Sequence, residues 1–292
     1  MECWIKYIKW NEIKIIKMDN KRCDLHIHSK FSDSDADIED IFRMAASKNV
    51  GCIAITDHDT VDGIERARVY SKSYNIELVE AMELSVAKGQ EEVHILGYLI
   101  DADNEKLKES LAKVKELRRQ RLLAMIDALN KTGIKLDKED VFSRINNNTP
   151  TRLHLALSMV EKGIVSSLVE AFSRYLAVGR PGYVGRFKFS VKEAIDLIKE
   201  CGGLSFLAHP HAIGNQSWID EFVSFGLDGL EVVYPRFSEA KKLHYKRLAD
   251  RLGLLKSGGS DAHGSYKKFT SVGDVTIPYS WVQEMKQRKD CI

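Results

Sequence analysis

The sequence predicts an α/β fold, a parallel sheet or barrel carrying a helical insert, and three observations lead there. Short β-rich runs recur along the 292 residues, helix-like stretches separate most of them, and one long segment, 104–190, abandons that rhythm. Strands alternating with helices are the pattern of parallel sheets and barrels, because a parallel pair needs a crossover that a helix supplies.

The β-rich runs are "CDLHIH" (23–28), "VGCIAITDHD" (50–59), "IELVEAMELSV" (76–86), "EEVHILGYLI" (91–100), "GGLSFLAHPH" (202–211), "DGLEVVYP" (228–235) and "LGLLKSGGSDAH" (252–263). Several are apolar on both faces, as strands covered by helices should be. Between them, "IEDIFRMAASKN" (38–49), "VKEAIDLIKECG" (191–202) and "SEAKKLHYKRLADRLG" (238–253) carry helical spacing. In the insert, "NEKLKESLAKVKELRRQRLLAMIDALNKTG" (104–133) is a long helix ended by Gly133. Its apolar stripe runs through Leu107, Leu111, Val114, Leu122, Met125 and Leu129. The expected division is therefore an N-terminal extension at 1–17, an α/β body at 18–103 and 191–292, and a helical insert at 104–190 covering the active site.

Bulk properties exclude more than they identify. The apolar share of 44% and charged share of 29% are those of an ordinary globular protein, and a formal charge of +2 gives no global reason for a nucleic-acid or membrane partner. The first 17 residues alternate apolar side chains with lysine, so neither a spanning helix nor a secretory signal is expected. The five cysteines form no CxxC pair, which favours reduced thiols and a cytoplasmic location. No protein partner is expected.

The chemistry lies in the nine histidines. Most fall within the β-rich runs or at their ends, beside acids, in "DLHIH", "TDHD", "EEVHI", "AHPH" and "SDAH", while "MELS" supplies Glu83. Residues i and i+2 of a strand point the same way, so His26 and His28 can serve one ion. An HxH pair alone is weak, because a strand histidine is more often a satisfied core residue. Five runs delivering His beside Asp or Glu are stronger, since barrel enzymes gather catalytic groups from several strand ends at one mouth. Imidazole nitrogens with carboxylate oxygens suit Mn²⁺, Zn²⁺ or Fe²⁺.

The motifs "DLHIHSKFSD", "AITDHDTVDGIERA", "MELS", "VHILGY", "AHP" and "GGSDAHG" closely resemble, in order, those of the PHP (polymerase and histidinol phosphatase) family. The insert segments "TRLHLALSMVEKG" and "AFSRYLAVGRPGYV" further resemble stand-alone members acting on nucleotide 3′,5′-bisphosphates or on 5′ ends of short RNA. The resemblance implies a distorted (β/α)7 barrel holding up to three divalent metal ions. One ion would take His26, His28, Glu83 and Asp261; a second would share Glu83 and take His94 and His209. The third would take Asp33, His58 and His263. Asp24, Asp57 and Asp59 are expected to orient imidazoles, with helix capping an equal alternative for the last two.

The reaction so implied is phosphate-ester hydrolysis by hydroxide generated on the metals. His211 is a candidate proton donor, although a structural role is the default. Arg118 and Arg121 fall inside the apolar stripe and need a buried or half-buried anion, from substrate or from protein acids, unless their stems lie on the core while their heads reach water. Arg152, between a loop and a helix, matches a phosphate-clamping arginine of the family; His154 beside it is by default a core histidine. The leading expectation is removal of the 3′ phosphate from nucleoside 3′,5′-bisphosphates. A 5′–3′ exoribonuclease on short RNA is the alternative, and an amidohydrolase-type C–N hydrolase or a non-catalytic metal-binding module stands further off.

Overall fold

The computed structural model describes residues 21–89, 91–145, 148–185 and 189–291; the expected extension at 1–17 lies outside them. Each of the seven β-rich runs contains a strand: β1 Arg22–Ile27, β2 Val50–Ile55, β3 Glu77–Lys88, β4 Glu91–Tyr98, β5 Leu204–Leu207, β6 Gly229–Val233 and β7 Leu255–Gly258. An eighth, β8 Ile277–Pro278, was not legible, being only two residues long and antiparallel to β1. The sheet order is β7-β6-β5-β4-β3-β2-β1-β8. Past the strand ends the barrel nearly closes: Ile27 bridges Ala262, and the His28 amide donates to the Ala262 carbonyl at 3.0 Å.

The sheet is mixed rather than parallel. β4 runs antiparallel to both β3 and β5. The chain reverses after Lys88 through Gly89, whose φ of 64° lies in the left-handed region glycine tolerates. No crossover helix separates β3 from β4, and a reversal this short permits only antiparallel pairing.

Helices cover the barrel where the periodicity placed them. Helix α1, Ile38–Ser47, is capped by Asp37 and buries Ile38, Ile41, Phe42 and Ala45. The helix Val191–Glu200 opens on a reciprocal Ser190–Glu193 capping box and buries Val191, Ala194, Ile195, Leu197 and Ile198. Glu239–Leu252 ends at Gly253, in the left-handed conformation at φ 66°.

Between β4 and β5 the helices Glu105–Lys131, Lys138–Phe142, Arg152–Glu161 and Leu168–Ala171 follow one another. The first spans two cores. Leu107 and Leu111 pack into the barrel core, whereas Leu122, Met125, Ile126 and Leu129 join a separate cluster with Leu155, Met159 and Leu176. Arg118 and Arg121 are buried on the same face, between those two packing zones.

Gly259, just after β7, sits against β1 so closely that a Cβ there would lie 2.4 Å from the His26 nitrogen. Gly259→Ala should therefore lower the unfolding free energy by about 1–3 kcal/mol through overpacking. Urea denaturation reads this directly, and a loss below about 0.5 kcal/mol, the range of ordinary surface changes, would mean the seam is not tight.

Candidate metal centre

Strand ends on one side of the barrel place the predicted residues together. His26 lies on β1 with His28 just beyond it; His58 follows β2 and forms a parallel bridge with Glu83 on β3. His209 follows β5, and Asp261 and His263 follow β7. His94 is different: it lies in the first half of β4. Because β4 runs backwards, its start reaches the mouth that the other strands reach with their ends, and His94 pairs in register with Ser85.

Glu83 is the centre of this arrangement. It is 1% exposed, and its two oxygens face different histidines. Oε1 lies 3.0 Å from His94 Nδ1 and 3.1 Å from His209 Nε2, while Oε2 lies 3.2 Å from His28 Nε2, 3.3 Å from His58 Nδ1 and 3.4 Å from His26 Nε2. Asp261 Oδ1 lies 3.3 Å from His28 Nε2, 3.5 Å from His26 Nε2 and 3.4 Å from His263 Nδ1. Asp33 faces His28, His58 and His263 at 3.4–3.6 Å. All nine predicted ligand residues thus converge.

Their spacing is that of a coordination shell. Ligands held about 2.1 Å from one tetrahedral ion stand about 3.4 Å apart. Three overlapping groups could each hold an ion, with ligand atoms mutually within 4.8 Å: His28–Asp33–His58–His263, His26–His28–Asp261 and His58–Glu83–His94. His28 and His58 each belong to two groups, a finer sharing than the motif carry-over implied. The donor set also fits a cation on hydrogen bonding: buried His26 Nε2, His28 Nδ1 and His28 Nε2 have no hydrogen-bond partner. Buried polar atoms are seldom left so.

Burial and charge pull the titrating groups of the cluster in opposite directions. Burial opposes protonation of His28, but the carboxylates of Asp261, Glu83 and Asp33 close to its ring outweigh it and carry its pKa up to about 10. His94 rises likewise to about 9 against burial, chiefly through Glu83. Burial would raise Glu83, Asp33 and Asp261, yet the surrounding imidazoles hold all three well below the carboxylate range. Burial pushes His58 the other way, well below its ordinary value.

The backbone is strained here too. His209 has φ 29° and Asp261 φ 46°, left-handed conformations unusual for either residue and of the kind concentrated at functional sites.

The expected orienting acids are corrected by the structure. Asp24 accepts from the backbone amides of Ser260 and Gly273, both at 2.8 Å. Asp57 accepts from the Ser29 amide and hydroxyl and the Ser32 hydroxyl. Asp59 binds the Ser85 amide at 2.7 Å and Arg118 Nε at 2.5 Å. These acids hold loops and an arginine rather than imidazoles. The acid that does orient one is Glu231, fully buried on β6: Oε1 lies 2.9 Å from His26 Nδ1, and Oε2 accepts from the His209 amide at 2.6 Å. A lone charge inside the apolar run "GLEVV" was the signal for it.

Beside the cluster a cavity of about 160 Å³ is lined by Asp33, His58, Glu92 and His94 from the barrel and by Arg118, Arg121, Thr151, Arg152, Leu153 and Phe172 from the helical segment. Arg118 is held by Asp59, the Ser85 hydroxyl and the Pro150 carbonyl, so a protein acid supplies the anion it needs. Arg121 Nε donates to the Val184 carbonyl at 2.9 Å. Arg152 meets Glu92 at 3.0 Å, and the other oxygen of Glu92 lies 2.7 Å from His94 Nε2. Glu92, two residues before His94 and on the same strand face, was not singled out from the sequence. His154 caps its own helix through Thr151, as a structural histidine. His211 packs 5.0 Å from both Tyr234 and Phe237, and partial desolvation against those rings, with His209 and Lys241, holds its pKa below the ordinary value. A ring so placed is first a packing element.

Comparisons with known proteins agree with this geometry. The model of the PHP domain matches residues 24–173. The 5′-3′ exoribonuclease of Haemophilus influenzae is 31% identical over 248 residues, 83% of this chain and 90% of that protein. The chain belongs to the PHP family. A 3′,5′-nucleoside bisphosphate phosphatase of Chromobacterium violaceum is also 31% identical, over 86% of this chain and 90% of that one. A solved structure from Bifidobacterium adolescentis, proposed to be a metal-dependent phosphoesterase, superposes with a TM-score of 0.84 at 26% identity, covering 92% of this chain and 96% of that one. As a PHP protein the chain is a metal-dependent phosphoesterase, a hydrolase. Among the described residues no helix is long and apolar enough to cross a membrane.

Glu231→Ala should free the His26 ring and lower divalent-metal affinity about 10- to 100-fold. Competition against a fluorescent chelator measures it; wild-type affinity in the variant would show that Glu231 does not support the centre.

Proposed function

We propose that this PHP protein hydrolyses the 3′ phosphate of nucleoside 3′,5′-bisphosphates in the cytoplasm, using Mn²⁺ at the nine-residue cluster. When bound, the cations neutralise phosphoryl charge and make a water acidic enough to deprotonate near neutral pH. His26, His28, Glu83 and Asp261, with His94 and His209, and with Asp33, His58 and His263, would hold them.

The observation that carries the substrate reading is Arg152. It stands at the cavity beside the cluster, 22% exposed, joined to His94 through Glu92. Glu92 and the Leu176 carbonyl engage two of its five N–H donors, leaving a guanidinium edge for a phosphate. Its head lies 5.7 Å from the Phe172 ring, a face on which a base can stack. Residues 104–190 then act as the cover that selects a small ligand, and the modest cavity favours one nucleotide over a strand. Arg121 adds positive charge to the same wall, and Arg118 fixes the cover to the barrel through Asp59.

A second reading, stepwise 5′–3′ hydrolysis of short 5′-phosphorylated RNA, is supported by the relative from Haemophilus influenzae that carries that name. Both readings break the same bond, between a 3′ oxygen and phosphorus, next to a recognised 5′ phosphate.

Purified protein with Mn²⁺ should release phosphate from adenosine 3′,5′-bisphosphate and leave AMP, amides and histidinol phosphate nearly untouched. Activity on amides alone would overturn the reading. Arg152→Ala should lower kcat/KM for the bisphosphate by about 10- to 100-fold, the scale of one lost charge-assisted contact, and spare a generic aryl phosphate. Equal losses on both would remove Arg152 as the clamp.

A further inference from the structure

Among the carboxylates of the cluster, one is held differently from the other two. Glu83 and Asp33 each turn both oxygens toward imidazoles. Asp261 turns only Oδ1, which faces His26, His28 and His263. Its Oδ2 is engaged from outside the nine residues: the Tyr234 hydroxyl donates to it at 2.6 Å, and the Lys267 ammonium pairs with the same atom.

The tyrosine is built into that place. β6 and β7 are parallel neighbours, and beyond them the Gly259 amide donates to the Val233 carbonyl at 3.1 Å, joining the segment that carries Tyr234 to the one that carries Asp261. Gly258 permits the close approach, since a Cβ there would lie 2.5 Å from the Val233 carbonyl oxygen. The Tyr234 ring is wedged among others, 5.0 Å from His211, 5.5 Å from Phe237 and 5.9 Å from His209, so its hydroxyl has one direction in which to point. Its contact with Oδ2 has the short length of a charge-assisted O–H···O bond, about 2.5–2.7 Å. Lys267 reaches the same oxygen on a long flexible stem; it supplies charge but little direction.

Resting on the reading of the cluster as a cation centre, we propose that Tyr234 is a positioning residue that restricts Asp261 to coordination through Oδ1. A carboxylate restricted in this way fills one position on an ion instead of two. The position spared stays open to water or a phosphoryl oxygen, as catalytic metal sites require. The task differs from that of Glu231, which holds an imidazole and a backbone amide. His211 and Phe237 contribute by holding the Tyr234 ring.

Tyr234→Phe keeps the ring and removes only the hydroxyl. Titration of metal-free protein with Mn²⁺ against a fluorescent chelator should show the Kd of at least one ion raised about 10-fold, the lower end for groups that orient metal ligands, because Lys267 remains. The metal-free variant should melt within about 2 °C of wild type. At saturating Mn²⁺ its EPR spectrum should differ from that of wild type, because a released Oδ2 alters the ligand field at manganese. A wild-type Kd or an unchanged spectrum overturns the role, and a lowered melting temperature with both unchanged marks the hydroxyl as a structural bond only. A wild type that binds no Mn²⁺ sinks the reading of the centre and this proposal with it. The readout is metal and not product, so the choice of substrate is decided separately.

Discussion

One carboxylate organises this protein. Glu83 is buried, ionised, and surrounded by five imidazoles, two facing one oxygen and three the other. Packing these imidazoles and three acids into largely buried positions is costly unless their charges are balanced. Cations held there would let each oxygen serve a different ion, with the remaining side chains in overlapping sets. The strained backbone at His209 and Asp261 follows from the same demand, since both loops must bend inward to bring a side chain to that point. Glu231 holds one of them, binding the His209 amide and the His26 ring together.

The fold answers this constraint through strand direction. Parallel strands deliver ligands only from their ends, yet Glu83 and His94 must meet across adjacent strands. Reversing β4 through a tight turn at Gly89 solves that, and the helical segment that follows brings Arg118, Arg121 and Arg152 to the cavity beside the cluster. The long helix Glu105–Lys131 is anchored in the barrel by Leu107 and Leu111 and leads into the second core by Leu122 and Met125. Arg118, at the junction, ties that helix to Asp59 in the loop that carries His58. The helical segment and the centre therefore share one polar bond network.

Much of this was legible because its signals are local. The seven β-rich runs each show up in ten residues or so, and polar ligands at the ends of apolar runs stand out. The apolar stripe with Arg118 and Arg121 inside it correctly foretold two buried arginines. What escaped depends on distance along the chain. A two-residue strand such as Ile277–Pro278 has no periodicity, and the direction of β4 is set by a reversal that reads like any glycine turn. Asp24, Asp57 and Asp59 lie beside histidines in sequence but bind amides, hydroxyls and an arginine from elsewhere, whereas Glu231 acts on a histidine more than two hundred residues away. Proximity in sequence identifies ligands better than it identifies the groups that hold them.

The central claim is that Glu83 bridges cations. Crystals grown with Mn²⁺ and measured at the manganese absorption edge test it most directly. The account predicts anomalous peaks about 2.0–2.3 Å from each Glu83 oxygen, within the ring of His26, His28, His58, His94, His209, His263, Asp33 and Asp261. A fully active enzyme whose anomalous map is empty around Glu83 would contradict it.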